Sequence, residues 1–237
     1  MPVPVETQAF GTGIVVTCEH GSNALPDPFR FQEEDRWIVE THWAFDPGAR
    51  PLALALAEEL KGTAVVAGFS RLFADPNREE TSTELFRRTA EGRPIALNRS
   101  ISDADRAVRL HAYRAYHAAV DGAVRTSTAP IVFSMHTFTP IYEGKTRAVE
   151  IGVLFDEETA LADALDGELS RAGFRVEPNE PYSGKLGLMY SVDRHAKAHG
   201  RRPIELEVRQ DLAVQPDVQK HVVEATARAL REFLGRG

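Results

Sequence analysis

The chain has 237 residues, of which 43% are hydrophobic and 27% are charged. These proportions are typical of a soluble globular protein that can bury a substantial core. The formal net charge of −7 argues against nucleic acid or an anionic membrane surface as the main partner. No apolar run approaches the roughly 20 residues of a membrane-spanning helix, and residues 1–10 lack the pattern of a signal peptide. We therefore expect a cytoplasmic protein without a membrane partner.

Predicted strands and helices alternate along the chain. After an unstructured lead-in over residues 1–10, apolar runs rich in β-branched residues predict strands at 14–18, 64–67, 131–136, 149–155, 174–176 and 204–209. Helices are predicted at 32–41, 49–60, 103–125, 157–172 and 217–233. This alternation favours an α/β fold with a largely parallel sheet, in a single domain over residues 1–237. Residues 70–101 show no clear period and are interpreted as a long functional loop.

Two of the predicted strands run into a histidine. The strand at 14–18 leads to His20, and the strand that begins at Ile131 leads to His136. Residues just past the carboxyl ends of parallel strands face the ligand crevice. Asp46, which precedes the helix at 49–60, is a third candidate, because two imidazoles and a carboxylate suit a catalytic zinc with one open position. The three are far apart in sequence, so ordinary hydrogen-bonded polar residues at element ends remain an alternative.

The strand predicted at 204–209 alternates apolar and charged residues, which places Glu205, Glu207 and Arg209 on one face. A carboxylate beside a catalytic metal can act as a general base and later protonate the leaving amine. We expect Glu207 to have this role, because it lies nearer the carboxyl end of the strand, where the two histidines are expected. For Glu205, a solvated position on an edge strand is the preferred interpretation.

Several arginines lie in loops or at a strand end near these candidates: Arg71, Arg78, Arg147 and Arg209. The planar guanidinium of arginine holds a carboxylate through two parallel hydrogen bonds. Such residues around a metal would suit a substrate that carries carboxylates. For each of them an ordinary surface position is the alternative.

The remaining histidines are weaker metal candidates. His195 and His199 are four residues apart in a basic segment and would share a face if that segment were helical, but no third ligand is nearby in sequence. The single cysteine, Cys18, lies in a predicted buried strand and is expected to be inert. No glycine-rich phosphate loop is present, so nucleotide binding has little support.

Six short motifs are spread over residues 14–212, nearly the whole chain. They are CEHGSN at 18–23, DPGA at 46–49, SR at 70–71 followed by DPNR at 75–78, SMHTF at 134–138, NEPYS at 179–183 and IELEVRQDL at 204–212. As a set, they resemble the N-formylglutamate amidohydrolase family.

This resemblance implies a zinc-exopeptidase-like fold, with three α/β/α layers around a mostly parallel mixed sheet. It implies a zinc-dependent hydrolase that acts on the formyl amide of an acidic amino acid, converting N-formyl-L-glutamate to formate and L-glutamate in histidine breakdown. One zinc ion is the implied cofactor, and a small acidic N-acyl amino acid is the implied partner.

The family is also similar to the zinc N-acetylmuramoyl-L-alanine amidases in its order of ligands. That order maps onto His20, Asp46 and His136 as metal ligands and onto Glu207 as the catalytic carboxylate. Asp46 departs from the pattern of those amidases, which have glutamate at this place. The substrate-binding residues expected in the matching loops and strand are Arg71, Asn77, Arg78, Arg147, Tyr182, Ser183 and Arg209.

Two other functions remain open at this point. One is a zinc amidase or peptidase that acts on another N-acyl amino acid or on a cell-wall peptide, which a broad cleft with aromatic stacking would favour. The other is a non-catalytic protein that binds small carboxylates and holds no metal. A closed pocket lined by arginines favours a small diacid substrate instead.

Overall fold

Seven strands form the central sheet in a computed structural model that describes residues 5–235. They are β1 Val5–Ala9, β2 Val15–Cys18, β3 Thr63–Ala67, β4 Ile131–Phe138, β5 Ile151–Leu154, β6 Val176–Pro178 and β7 Arg202–Arg209. Their spatial order is β1–β3–β2–β4–β7–β5–β6. Strands β3, β2, β4 and β7 run parallel, whereas β1 is antiparallel to β3 and β5 is antiparallel to β7. The prediction of a mostly parallel mixed sheet is therefore confirmed.

Helices cover both faces of this sheet. They are α1 Ala49–Glu59, α2 Asp103–Thr126, α3 Thr159–Arg171, α4 Tyr190–Ala198, α5 Gln210–Ala213 and α6 Pro216–Gly235. Helices α1, α3 and α6 share one core, and α2 and α4 pack on the opposite core. This arrangement confirms the predicted three α/β/α layers. No helix within residues 5–235 is both long and apolar enough to cross a membrane.

Leucines at helical spacing form the buried faces of α1 and α3. Leu52 and Leu56 of α1, and Leu161 and Leu165 of α3, are fully buried. Burying one leucine side chain contributes about 1.5–3 kcal/mol relative to leaving it exposed. These stripes therefore hold α1 and α3 on the sheet.

The first described residues differ from the sequence prediction. Val5–Ala9 were expected to be unstructured, but they form β1 and pair with β3 at the edge of the sheet. Most of this strand is exposed, so its sequence lacks the apolar run that identifies a buried strand. Its order comes from backbone pairing. Residues 1–4 of the predicted lead-in lie outside the described residues.

The helix predicted at 32–41 is also wrong, because only Glu33–Asp35 form a short 3₁₀ turn there. The reason is the buried carboxylate of Asp35. Its two oxygens accept hydrogen bonds from the backbone N–H groups of Ala96 and Leu97, at 2.7 and 2.8 Å. These bonds tie the segment to a distant loop instead of allowing a regular helix.

Helix α4 has no counterpart among the predicted elements. It packs against α2 through a pair of buried histidines: His117 Nδ1 lies 2.8 Å from His195 Nε2, and the two rings stack with centroids 5.1 Å apart. One turn further along, His199 Nε2 lies 2.8 Å from Asp121 Oδ1. His195 of α4 and His199, which directly follows this helix, thus contact α2.

The buried histidine pair makes stability sensitive to acid. Burial lowers the pKa of His117 to about 3 and the pKa of His195 to about 4, and the charge of Arg194 acts in the same direction. An unfolded histidine takes up its proton near pH 6.5, so the stability contributed by the pair falls as the pH decreases below about 6.5. Between pH 6.5 and 5, wild type is expected to lose on the order of 2–4 kcal/mol more unfolding free energy than a His117→Asn/His195→Gln variant.

Urea unfolding of both proteins at the two pH values measures this difference. Other titrating groups are common to wild type and variant, so they cancel in the comparison. Equal pH dependence in the two proteins would show that the histidine pair does not control acid sensitivity.

Candidate active site

The parallel strands bring chemically active side chains to one end of the sheet. His20 follows β2 by two residues, and His136 lies within β4, which continues to Phe138. Glu207 on β7 is paired in register with His136. Side chains that face each other in register project to the same side of a sheet. His136 and Glu207 therefore face one cavity.

Asp46 reaches this cavity from the turn that precedes α1. Its backbone N–H donates to the carbonyl of His20 at 2.9 Å, and its Oδ2 accepts from the N–H of Thr137 at 3.3 Å. Gly48 ends the turn with a φ of 88°, and a Cβ there would lie 2.5 Å from the carbonyl oxygen of Ala213. Only glycine fits this left-handed and closely packed position. The turn thereby fixes Asp46 beside both strand ends.

His20, Asp46 and His136 form a compact buried cluster. Each offers a ligand atom, and these atoms all lie within 4.8 Å of one another. Asp46 Oδ2 lies 2.8 Å from His136 Nδ1 and 3.4 Å from His20 Nδ1. Exposure is 4% for Asp46 and 2% for each histidine. Two ring nitrogens thus converge on one carboxylate oxygen.

The opposite ring nitrogens of both histidines face other carboxylates. His20 Nε2 lies 2.7 Å from Asp75 Oδ1, and His136 Nε2 lies 3.1 Å from Glu19 Oε2. A carboxylate behind a histidine keeps a proton on the nearer nitrogen and leaves the lone pair on the other nitrogen. His20 Nδ1 is buried and has no hydrogen-bond partner among residues 5–235. The donor set therefore fits a divalent metal ion held by the two Nδ1 atoms and Asp46.

The electrostatics of the cluster also favour a cation. Burial lowers the pKa of His136, but the charge of Glu205 and the hydrogen bonds to Asp46 and Glu19 outweigh it and raise this pKa well above its usual range. Burial raises the pKa of Asp46, yet the His20 charge and the His136 hydrogen bond bring it well below its usual range. The carboxylates thus favour positive charge between them, which either a protonated His136 or a bound metal ion supplies.

The sequence patterns gave no role to Glu19 and Asp75, which fix the two histidines. The fully buried Glu19 accepts hydrogen bonds from Tyr116 Oη at 3.0 Å and from Ser134 Oγ at 2.7 Å. Asp75 Oδ2 accepts from Arg71 Nη2 at 3.0 Å. Both acids lie within the quoted motifs, and for Glu19 the available signal was a charged residue directly after a predicted buried strand.

Glu205 and Glu207 both line the cavity. The solvated edge position expected for Glu205 is wrong, because β7 lies between β4 and β5 and Glu205 is only 2% exposed. Burial raises the pKa of Glu205 to about 7 and that of Glu207 well above its usual range. Glu205 Oε2 lies 3.7 Å from His136 Nε2, which is the ring nitrogen that faces Glu19. The buried Oε2 atoms of both Glu205 and Glu207 have no hydrogen-bond partner within residues 5–235.

Three arginines line the same cavity: Arg71, Arg78 and Arg87. Arg71 is occupied by the protein itself, since Nε and Nη2 donate to Asp75 Oδ2 and Nη1 lies 3.7 Å from Asp46 Oδ1. Arg78 Nη1 donates to the carbonyl of Asn77 at 3.1 Å, and Arg78 has no ion pair within residues 5–235. Arg78 is therefore available to an anionic ligand.

Among the other predicted substrate-binding residues, Asn77 and Tyr182 line the cavity. Within residues 5–235, the lining does not include Arg147, Ser183 or Arg209. The amide of Asn77 is used within the protein: Nδ2 donates to the carbonyl of Leu188, and Oδ1 accepts from the N–H of Ser191, both at 3.0 Å. Asn77 thus ties the predicted functional loop to the start of α4.

Arg147 and Arg209 lie beside the cavity wall. Arg147 Nη1 donates to Tyr182 Oη at 3.2 Å, and its guanidinium stacks on the Tyr182 ring at 5.1 Å. Arg209 Nε donates to Asp211 Oδ1 at 2.8 Å, and its Nη1 donates to the carbonyl of Arg147 at 3.2 Å. Both arginines therefore support the wall in this structure.

The cavity has a volume of about 330 Å³, which is near the lower end of the range for small-molecule sites. Its floor is the His20–Asp46–His136 cluster with Glu205 and Glu207. Its sides carry the three arginines and the aromatic rings of Trp43, Tyr142 and Tyr182. Acidic groups at a candidate metal site and cations beside them suit the hydrolysis of a small anionic molecule.

Comparisons with known proteins find solved structures with a similar fold. The gene product Atu2144 from Agrobacterium tumefaciens has a structure similar over 98% of this chain and 95% of its own, with 28% identity and a TM-score of 0.86. An N-formylglutamate amidohydrolase from Ralstonia eutropha JMP134 is similar over 100% of both chains, with 21% identity and a TM-score of 0.70. A bacteriophage poly-gamma-glutamate hydrolase is similar over 98% of this chain and 90% of its own, with 12% identity and a TM-score of 0.53.

The two lower identities show a shared fold. No curated protein matches the chain. The family model of N-formylglutamate amidohydrolase, however, matches residues 12–214, which include every residue of the cavity floor and confirm the resemblance found in the sequence motifs. The chain therefore belongs to the N-formylglutamate amidohydrolase family and is a hydrolase that acts on amide bonds.

Proposed function

We propose that the protein hydrolyses the formyl amide of an acidic amino acid with the help of one zinc ion, and that its substrate is N-formyl-L-glutamate. The observation that carries this proposal is the orientation of His20 and His136. Each has a carboxylate behind Nε2 and directs Nδ1 toward Asp46. This is the arrangement expected for metal-binding histidines.

His20, Asp46 and His136 would hold the zinc ion. Zinc bound by three protein ligands acidifies water and polarises a carbonyl group. Asp75 and Glu19 hold the two imidazoles in the required orientation. Arg71 forms an ion pair with Asp75 and so neutralises part of the negative charge behind the cluster. These contacts order the site before substrate arrives.

Glu207 is proposed as the general base and acid. It would accept a proton from the attacking water and then give that proton to the leaving amine nitrogen, which releases formate and the free amino acid. Its buried Oε2 has no hydrogen-bond partner among the described residues and can bind a proton, and the same holds for Oε2 of Glu205. Glu205 is less suited, because its Oε2 lies 3.7 Å from His136 Nε2, the ring nitrogen that does not face Asp46.

Arg78 is proposed to bind a carboxylate of the substrate, because its guanidinium lines the cavity and lacks an ion pair with the described residues. The roles expected for the remaining residues stay predictions: Arg71, Asn77, Arg147, Tyr182, Ser183 and Arg209. For Arg147 and Arg209 the observed contacts support a role in holding the wall beside Tyr182.

Replacing Arg78 with lysine keeps the charge but removes the planar fork, so kcat/KM should fall about 10–100-fold. Steady-state kinetics on N-formyl-L-glutamate measure this effect. Arg209→Lys, assayed in parallel, tests the corresponding prediction for Arg209. A variant with unchanged kinetics on every substrate would exclude its arginine from substrate binding.

The decisive test of the proposed function is a formate-release assay on a panel of N-formyl and N-acetyl amino acids, with and without a chelator. Chelator-sensitive release of formate from N-formyl-L-glutamate is the expected result. Preference for another N-acyl amino acid would instead support a related amidase. Absence of turnover in a protein that contains no metal would support a carboxylate-binding protein.

We also propose that the enzyme acts in the cytoplasm, in histidine breakdown.

We further propose that residues 1–237 form one domain. The support for a single domain is the continuous sheet, which takes strands from both halves of the chain. A single cooperative unfolding transition is expected by calorimetry, whereas two separate transitions would contradict the single domain.

A further inference from the structure

Arg87 is a third cavity arginine to which the sequence motifs assigned no role. Its side chain is 28% exposed, and its Nη2 lies 2.7 Å from Glu84 Oε2. The guanidinium also stacks on the ring of Trp43 at 5.1 Å. Only one guanidinium nitrogen is engaged in this ion pair, so the remaining donors of Arg87 can bind a ligand.

The charges around Arg87 favour an anion. Burial lowers the pKa of Arg87, and the positive charges of Arg71 and Arg78 lower it further, while those of Glu84 and Asp75 raise it. Cations gathered in a partly buried site repel each other, and an anion bound between them removes that repulsion. Of the three arginines in the described cavity lining, Arg71 is already held by Asp75 and Asp46. Arg78 and the remaining donors of Arg87 can therefore bind a ligand.

We propose that Arg87, held against Trp43, binds the side-chain carboxylate of the substrate, while Arg78 binds the α-carboxylate. Arg87 then determines the preference for an acidic over a neutral N-acyl amino acid. This inference rests on the proposed function, since it names the residue that reads the substrate side chain at the same site.

The assignment of the two carboxylates follows from their positions in the substrate. The α-carboxylate is next to the carbon that bears the scissile amide, whereas the side-chain carboxylate of glutamate is two methylene groups further away. Arg78 acts electrostatically on Glu205 at the cavity floor. Arg87 lies against Trp43, so it suits the more distant group.

Trp43 is a rigid support for Arg87. Its Nε1 donates to Glu91 Oε1 at 3.2 Å, and the ring of His42 lies 4.8 Å away from the ring of Trp43. A guanidinium that is already held on an aromatic ring loses less conformational freedom when it binds a carboxylate. Specificity therefore depends on a preformed contact.

The test compares N-formyl-L-glutamate with N-formyl-L-glutamine, which has nearly the same shape but a neutral side chain. Wild type should prefer the glutamate compound. In Arg87→Gln, the ratio of the two kcat/KM values should fall about 100-fold, mostly through loss of activity on the diacid. Arg87→Lys should restore part of the ratio, because it restores the charge without the fork.

Arg93→Gln is a matched control. Arg93 also stacks on a tryptophan, Trp37, at 4.2 Å, but within residues 5–235 it is not part of the cavity lining. This variant should keep the wild-type ratio. An unchanged ratio of the two kcat/KM values in Arg87→Gln would overturn the assignment of Arg87, whether both activities fall equally or neither falls.

Binding measurements separate this inference from the proposed reaction. Calorimetric titration with L-glutamate, the expected product, and with L-glutamine gives the same comparison without turnover. Tighter binding of L-glutamate that depends on Arg87 would support the inference even if the formate assay failed. Equal binding of the two amino acids by wild type would overturn it even if formate were released.

Discussion

Replacing His136 with alanine is expected to remove zinc from the protein. His136 Nδ1 lies 2.8 Å from Asp46 Oδ2 at the centre of the cluster, and the variant would keep only His20 and Asp46 as ligands. Two ligands do not hold zinc firmly. Elemental analysis after dialysis should find about one zinc per wild-type chain and far less in the variant.

His111→Ala is the matched control for this experiment. His111 lies on the exposed side of α2, so its loss should leave the zinc content unchanged. Thermal unfolding in the presence of chelator shows whether the His136 variant is otherwise folded. A folded His136→Ala protein that retains one equivalent of zinc would disprove the ligand assignment.

Replacing Glu207 with glutamine is expected to leave the fold and the zinc content intact while lowering kcat by roughly 10²–10⁴-fold, the range for one acid–base group. Glutamine has nearly the same shape but cannot accept and return a proton. The cavity side of β7 therefore keeps its packing. Formate release under saturating substrate measures kcat, and elemental analysis of the same sample measures zinc.

Glu205→Gln is the informative comparison, because both acids line the cavity and both have a raised pKa. The Glu205 variant should lose less activity, since this side chain lies near the Nε2 side of His136. Near-normal kcat in Glu207→Gln together with an inactive Glu205→Gln enzyme would assign the proton transfer to the other carboxylate.

The position of the site could be predicted because strand ends are visible in sequence. The apolar runs before His20 and His136 are parallel neighbours in the sheet, so their ends meet at one edge. The alternation in β7 likewise placed Glu207 on the face shared with His136. In each case a local pattern is enough, because sheet geometry fixes where the side chain projects.

The contacts around the site could not be predicted, because they join residues distant in sequence. Glu19 meets Tyr116 and His136 only after α2 has packed on the sheet. Arg209 lies on the same face of β7 as Glu207 by the alternation of the strand, yet its guanidinium binds Asp211 at the turn into α5. Helix α4 buries Ser191 and His195 instead of a full apolar stripe, so its periodicity gave no clear signal.

The three candidate ligands belong to three separate segments: the end of β2, the turn before α1, and β4. An unfolded chain would not hold them together, so an ion that needs all three binds only the native state. Each tenfold rise in free zinc above the dissociation constant would then add about 1.4 kcal/mol to the free energy of unfolding. If zinc binds as proposed, a shortage of zinc would lower the stability of the protein as well as its activity, and the lower stability would reduce its abundance in the cell.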